Sequence, residues 1–194
     1  MSHLTGTLMN YDAVISLGGN CAPAWHLKRL GITAESYPFD ASFTDHTTLL
    51  SVLNADFADT FSSEITITCR RTGFQFGHQP GRELGKRIRK RLERRIQRFR
   101  ELRNLRSILF IRHYPRNSQS ERELLVSHHT ELLDCLVRYG MPRFRLVFST
   151  QSFSPPIQHP DFYPLLRSDL PPVQNRWRGN DQDWNDFLDA ILGP

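Results

Sequence analysis

The chain is poor in cysteine, with only Cys21, Cys69 and Cys135 among 194 residues. An odd number of thiols at wide spacing argues against a disulfide framework and against a cysteine-rich zinc module. A reducing, cytoplasmic setting is the expectation. No apolar run approaches the roughly 18 residues needed to cross a bilayer, so no membrane span is expected. Residues 1–10 lack a basic start followed by an apolar core, so no secretory leader is read there. Internal repeats, low-complexity tracts and an obvious domain boundary are also missing. What is present is 39% hydrophobic and 23% charged, enough apolar material to build a core. The length fits one domain over residues 1–194.

Charge is present but unevenly placed. The whole chain carries a formal +5. Residues 82–106 hold twelve basic and three acidic side chains, a local +9. The remainder, with thirteen basic against seventeen acidic, is −4. In the basic segment Leu84, Ile88, Leu92, Ile96, Phe99 and Leu102 recur at steps of four and three. That spacing predicts one amphipathic helix of about 23 residues, on the order of 35 Å long. Glu83 and Arg87 form a favourable i,i+4 pair within it. Its basic face is open to three readings: a solvated surface, an anion site or a nucleic-acid face. Nucleic acid is disfavoured, because Phe99 is the only aromatic residue in the helix and no nucleic-acid motif is present.

Residues 11–17 (YDAVISL) form a β-rich apolar run ending at Gly18-Gly19, followed by a helix over about 21–30 that Gly31 stops. Asn20 can cap that helix, and Pro23 is tolerated in its first turn. Residues 36–40 (SYPFD) read as a turn. A short helix is expected over 46–54 with Asp45 as cap, and strands over 65–69 and 74–78. Residues 107–112 (SILFIR) and 144–149 (FRLVFS) are further apolar strands. Between them lies a long helix to Tyr139, with Leu124, Leu125, His128, Leu132, Leu133, Leu136 and Val137 on its inner face. At least one of His128 and His129 should face water. Residues 151–172 read as a long loop and 183–192 as a final helix. Strands alternating with helices predict an α/β fold: one three-layer domain with an open, mainly parallel sheet flanked by helices.

In such a sheet, functional groups gather where strands end and helices begin. Cys21 lies at such a point, after a strand and a Gly-Gly-Asn turn. A helix N-terminus favours anions and so lowers a thiol pKa, which makes Cys21 the first candidate nucleophile. Amides near Gly19, Asn20 and Ala22 could turn toward a developing oxyanion. The alternative is a small buried residue opening a core helix. Cys69 and Cys135 read as structural. A cysteine nucleophile needs a base, usually histidine. His78 follows a strand in a Gly-His turn; His113 competes with it, and His159 with Asp161 is another possible acid–base pair. His26 is on the Cys21 helix and poorly placed to reach its start. Arg94, Arg95 and Arg98 are candidates for binding a carboxylate or phosphate. One of these arginines could instead pair with a buried acid such as Asp40. Asn175, Trp177 and Trp184 are pocket candidates, with a core role favoured for the tryptophans. No metal-ligand set is read.

The ordered motifs SLGGNCAPAWHLKRLG, SYPFD, FGHQP, ERRIQRF and ILFIR resemble a bacterial family of unknown function described as papain-like cysteine peptidases. The resemblance spans roughly residues 12–115. It implies Cys21 as nucleophile, His78 as base and Asp40, within Pro38-Phe39-Asp40, as the orienting third member; Ala41 stands where the family pattern has Trp. The first segment is also similar to cysteine-bearing relatives of GDSL-type esterases and to capsule-sugar acyltransferases with a Cys/His pair. The implied reaction is acyl transfer on a small-molecule, peptide or saccharide substrate. No cofactor is required for hydrolysis, and coenzyme A is the candidate for an acyltransferase. A non-catalytic member binding a partner or saccharide is a further alternative. Because Cys21 directly follows a strand, Cys–His chemistry is expected on an α/β sheet, not on a helix packed against an antiparallel barrel. Substrate and oligomeric state are not readable.

Overall fold

Three runs rich in branched and aromatic residues become neighbouring strands because both faces of each can be buried. A computed structural model describes residues 11–40, 42–58, 75–76, 85–114, 119–151, 159–165 and 178–193. In chain order the elements are β1 (Ala13–Ser16), α1 (Ala22–Arg29), β2 (Ser42–Phe43), α2 (His46–Asn54), β3 (Gln75–Phe76), α3 (Gly85–Glu101), β4 (Ile108–Tyr114), α4 (Gln119–Arg138), β5 (Phe144–Gln151), β6 (Phe162–Leu165) and α5 (Asp181–Leu192). The main sheet runs β1-β4-β5-β6, every pair parallel. Strands β2 and β3 form a small antiparallel pair.

Helices cover both faces of the sheet. Ile108 and Phe110 of β4 point into a cluster with Leu49 and Val52 of α2, Leu92, Ile96 and Phe99 of α3, and Leu132 and Leu136 of α4. Leu109 and Ile111 point the other way, to Ala22 and Leu27 of α1 and Trp184, Phe187 and Leu188 of α5. This is the expected α/β arrangement. Phe99 centres the first layer, its ring 5.6 Å from that of Phe39, 5.7 Å from Phe57 and 5.6 Å from Tyr139. Aromatic pairs at such distances each add roughly 0.5–1.5 kcal/mol beyond simple burial.

Local signals act as the sequence predicts at several ends. The Asp45 carboxylate accepts from the Thr48 N–H at 2.7 Å and starts α2. Asn180 caps α5, accepting from the amides of Gln182 and Asp183, and this start lies two residues before the expected one. The basic helix α3 is shorter than expected. It tightens into a 3-10 turn at Leu102–Asn104, with Leu92, Ile96, Phe99 and Leu102 buried. An i,i+4 pair on it links Arg89 Nε to Glu93 Oε1 at 3.0 Å. Leu84, the Glu83–Arg87 pair and the side chain of Ile88 lie outside the described residues, as do the strand expected over 65–69 and Cys69.

Two expectations are corrected. The stretch read as one long loop contains β6, an edge strand paired with β5. Its Pro164 masked the signal; proline lacks an N–H and is tolerated in a strand mainly at a sheet edge. On α4 the buried stripe follows Leu125, His129, Leu132, Leu136 and Tyr139, leaving Leu124 and Val137 exposed. Neither histidine of the pair expected to include a water-facing one is exposed: His129 is buried, and His128, placed on the inner face, is half-buried with its ring stacked 3.9 Å from that of His46.

Candidate functional site

Strand β1 delivers the chain to a turn pressed against the end of β4. Leu17 N–H donates to the Ile111 carbonyl at 2.8 Å, and His113 N–H to the Gly18 carbonyl at 3.1 Å. Gly19 has φ +98°, and a Cβ on it would lie 1.8 Å from the His113 carbonyl oxygen. Only glycine fits this approach. The chain then enters α1 through Cys21, the cap residue, whose carbonyl accepts from the Trp25 N–H at 3.0 Å. Its thiol makes no capping bond. The Asn20 carboxamide oxygen accepts from the Ala22 N–H at 2.9 Å. Of the residues expected to bind an oxyanion, Gly19 and Asn20 therefore shape the turn, while the Ala22 amide is already engaged.

Cys21 is buried. The expected depression of its thiol pKa is absent. Burial pushes it up, and the negative charge of Asp40 adds in the same direction. The start of α1 does not overcome these two effects.

Asp40 comes from the SYPFD turn, anchored by the wholly buried ring of Phe39. Its carboxylate accepts from the Tyr37 N–H at 3.1 Å, and Lys28 Nζ of α1 lies 3.4 Å from it. The group is 7% exposed, and burial raises its pKa against the opposing pull of Lys28 and the Tyr37 amide. Arg95 of α3 also acts on it electrostatically. Cys21, Asp40, Lys28 and Arg95 thus belong to one electrostatic neighbourhood.

His78 lies outside the described residues, as do Asn175 and Trp177. The other histidines of this end are occupied. His26 is wholly buried and stacked on Trp184, the rings 4.8 Å apart. Its Nδ1 accepts from Arg29, and its Nε2 lies 2.9 Å from the Arg178 carbonyl, which assigns the proton to Nε2. Burial lowers its pKa to about 4. His113 is bonded through Nδ1 to the Ser149 hydroxyl at 3.0 Å, and burial lowers its pKa to about 3. A base needs a pKa nearer neutrality, so neither suits. Trp184 is a core residue, as favoured. His159 and Asp161 lie just before β6, on the side of the sheet opposite β1. There His159 Nδ1 accepts from the Asp161 N–H, and the Asp161 carboxylate pairs with Arg145 at 3.0 Å.

The sequence reading missed Arg112. It is 1% exposed, donating from Nη1 to the Leu17 carbonyl at 2.7 Å and from Nη2 to the Thr44 carbonyl. It therefore ties the chain just after β1 to the segment just after Asp40. The available signal was period: in SILFIR, Arg112 shares the inward face of Ile108 and Phe110. Lys28 was missed too, because its pairing with Asp40 is tertiary.

The expected arginine group is partly distributed. Arg98 Nε pairs with Glu35 at 2.9 Å, and its Nη1 donates to the Ser36 carbonyl at 2.7 Å. Arg95 is the one coupled electrostatically to Asp40. Arg94 is exposed.

Residues 12–80 match the family model described as "Putative papain-like cysteine peptidase (DUF1796)". The matched segment holds β1, the glycine turn, Cys21, α1, Asp40 and His78; α3 and β4 lie beyond it. No curated protein and no solved structure gives a significant match. Among the described residues the nucleophile candidate follows a strand of a parallel sheet, as the sequence reading expected, and does not sit beside an antiparallel barrel. No helix among them is long and apolar enough to cross a membrane.

Proposed function

We propose that the protein is a cysteine-nucleophile acyl-transfer enzyme, a hydrolase of the peptidase type. The observation that carries this is the junction itself: a thiol between a glycine turn and a helix start, at the carboxyl edge of a parallel sheet, with a buried carboxylate acting on it. The raised thiol pKa sets the form of the mechanism. Burial and Asp40 hold Cys21 toward the neutral thiol, which needs a base at the moment of attack.

His78 takes that role, with Asp40 as the residue that orients it. His78 removes the Cys21 proton as sulfur bonds to the substrate carbonyl carbon, whose π electrons move to oxygen. The resulting oxyanion accepts from amides of the turn; the Ala22 amide joins only when Asn20 releases it. The oxyanion collapses, the bond to the leaving group breaks, and His78 returns its proton to that group. Water, deprotonated by His78, then attacks the thioester and regenerates the thiol. A hydroxyl in place of water would give an acyltransferase by the same steps.

The test is intact-protein mass spectrometry after exposure to an activated acyl ester, with the label mapped by peptide digestion. One acyl group on Cys21, absent from Cys21→Ala and slowed in His78→Ala, is expected. Labelling of Cys69 or Cys135 instead, or equal labelling of Cys21→Ala, would refute the assignment.

A further inference from the structure

A cavity of about 280 Å³ opens between α3 and the loop leading to Asp40. At about 30 Å³ per water it has room for roughly nine waters. Its wall carries Arg91, Arg94, Arg95 and Arg98, with Glu35 and Ser36 opposite. Arg98 is matched by Glu35. Arg95 feels the attraction of Asp40 and the opposing charges of Arg91 and Arg98. Arg91 and Arg94 form no ion pair among the described residues. Four cations against Glu35 leave the cavity at +3, or +2 with Asp40 counted against Arg95. The spacing is self-repelling: 91 and 95 are four apart, 91 and 94 three, and 95 and 98 three. A solvated helix face gains nothing from drawing Arg91 and Arg94, unmatched among the described residues, around one concavity with Arg95 and Arg98, whereas a ligand that neutralises them does. A single carboxylate is answered by one bidentate arginine, whereas a residual charge of +2 to +3 asks for a dianion or more.

We infer that this arginine cavity is a binding site for a phosphoryl group, a phosphomonoester or pyrophosphate carried by the substrate. Arg91 and Arg94 grip its outer oxygens and Arg95 its inner face. Arg95 also couples the cavity electrostatically to Asp40, which in turn acts on Cys21, so a bound phosphoryl group would be felt at the thiol. That the phosphoryl group belongs to the acyl-transfer substrate rests on the function proposed above; the anion site itself does not.

The test is titration calorimetry with inorganic pyrophosphate at fixed ionic strength. Saturable binding with one site per chain is expected, weakened by at least about tenfold in Arg91→Gln/Arg94→Gln. Binding should be nearly unchanged in Lys90→Gln/Arg106→Gln, which loses the same charge away from the cavity. Cys21→Ser should bind as the unaltered protein does, so the site stands even if Cys21 proves inert. Equal weakening in both double variants would mark nonspecific attraction along the basic segment 82–106, of the kind a nucleic acid would feel, and would overturn the assignment. Malonate binding as tightly as pyrophosphate would overturn the phosphoryl specificity. Failure of pyrophosphate to bind, with Cys21 still acylated, would remove the site and leave the enzyme reading intact.

Discussion

Replacing Gly19 by alanine tests whether the turn before Cys21 is held by contact with β4. Two costs add. The backbone at φ +98° is one that side-chain-bearing residues adopt at about 1–3 kcal/mol. The new Cβ would lie 1.8 Å from the His113 carbonyl oxygen, where ordinary contact begins at 3.4 Å, so turn and strand must part by about 1.6 Å. That separation breaks the 3.1 Å bond from His113 N–H to the Gly18 carbonyl. Leaving such groups buried without partners costs roughly 1–3 kcal/mol. Together these give about 2–6 kcal/mol, a large share of a typical 5–15 kcal/mol stability. Gly31→Ala is the internal control: Gly31 has φ +70°, but nothing lies within 4 Å of a Cβ there. It isolates the backbone cost, about 1–2 kcal/mol, less a little from the stiffer unfolded chain. Guanidinium unfolding of both variants, followed by circular dichroism, gives the difference. Alkylation of Cys21 by iodoacetamide should also quicken in Gly19→Ala as the thiol loses cover. If Gly19→Ala loses no more stability than Gly31→Ala, the close approach is not what holds the turn.

Three further outcomes follow from the same geometry. Asp40→Asn removes a negative charge that raises the Cys21 thiol pKa and leaves Lys28 behind. The pH profile of Cys21 alkylation should therefore shift to lower pH; a shift upward would contradict the electrostatic reading. His26 and His113 have folded pKa values of about 4 and 3, below the ordinary 6.5. Between these values the unfolded chain binds the protons, so stability is full above pH 6.5 and falls as pH drops, on the order of a few kcal/mol by pH 4. His113→Gln should show a flatter decline in unfolding free energy between pH 6.5 and 4; an unchanged slope would rule out the histidine contribution. Arg112→Lys keeps the charge but loses the fork that serves two carbonyls. It should cost about 2–4 kcal/mol in denaturant unfolding, and a loss under about 0.5 kcal/mol would count against the latch.

Much of the fold was legible because its signals are local. Asp45 caps α2 through an amide three residues away, and the strands at 13–16, 108–114 and 144–151 carry their own apolar runs. Strand β6 was hidden because its partner, not its sequence, makes it a strand. The phase of α4 slipped because Leu124 and Leu125 are adjacent, and only packing against the sheet chooses Leu125. The position of Cys21 was equally local, a thiol after a glycine turn. Its raised pKa was not, since burial and a carboxylate nineteen positions on decide it. The helix-start argument was sound for an exposed thiol and was outweighed by burial.

Arg112 has a consequence for the order in which the molecule can be put together. The carbonyls it holds belong to residues 95 and 68 positions earlier in the chain, and β4, which carries it, is the only strand paired with β1 in the described sheet. A nascent chain that has emerged only as far as residue 80 contains Cys21, Asp40 and His78, but not β4, the partner of β1 among the described strands. Closing loops of that length is an entropic cost met only when distant contacts form together. The thiol and its carboxylate are therefore brought into register late, after the fourth strand is made. During synthesis the junction at Cys21 stays unlatched until more than half the protein exists.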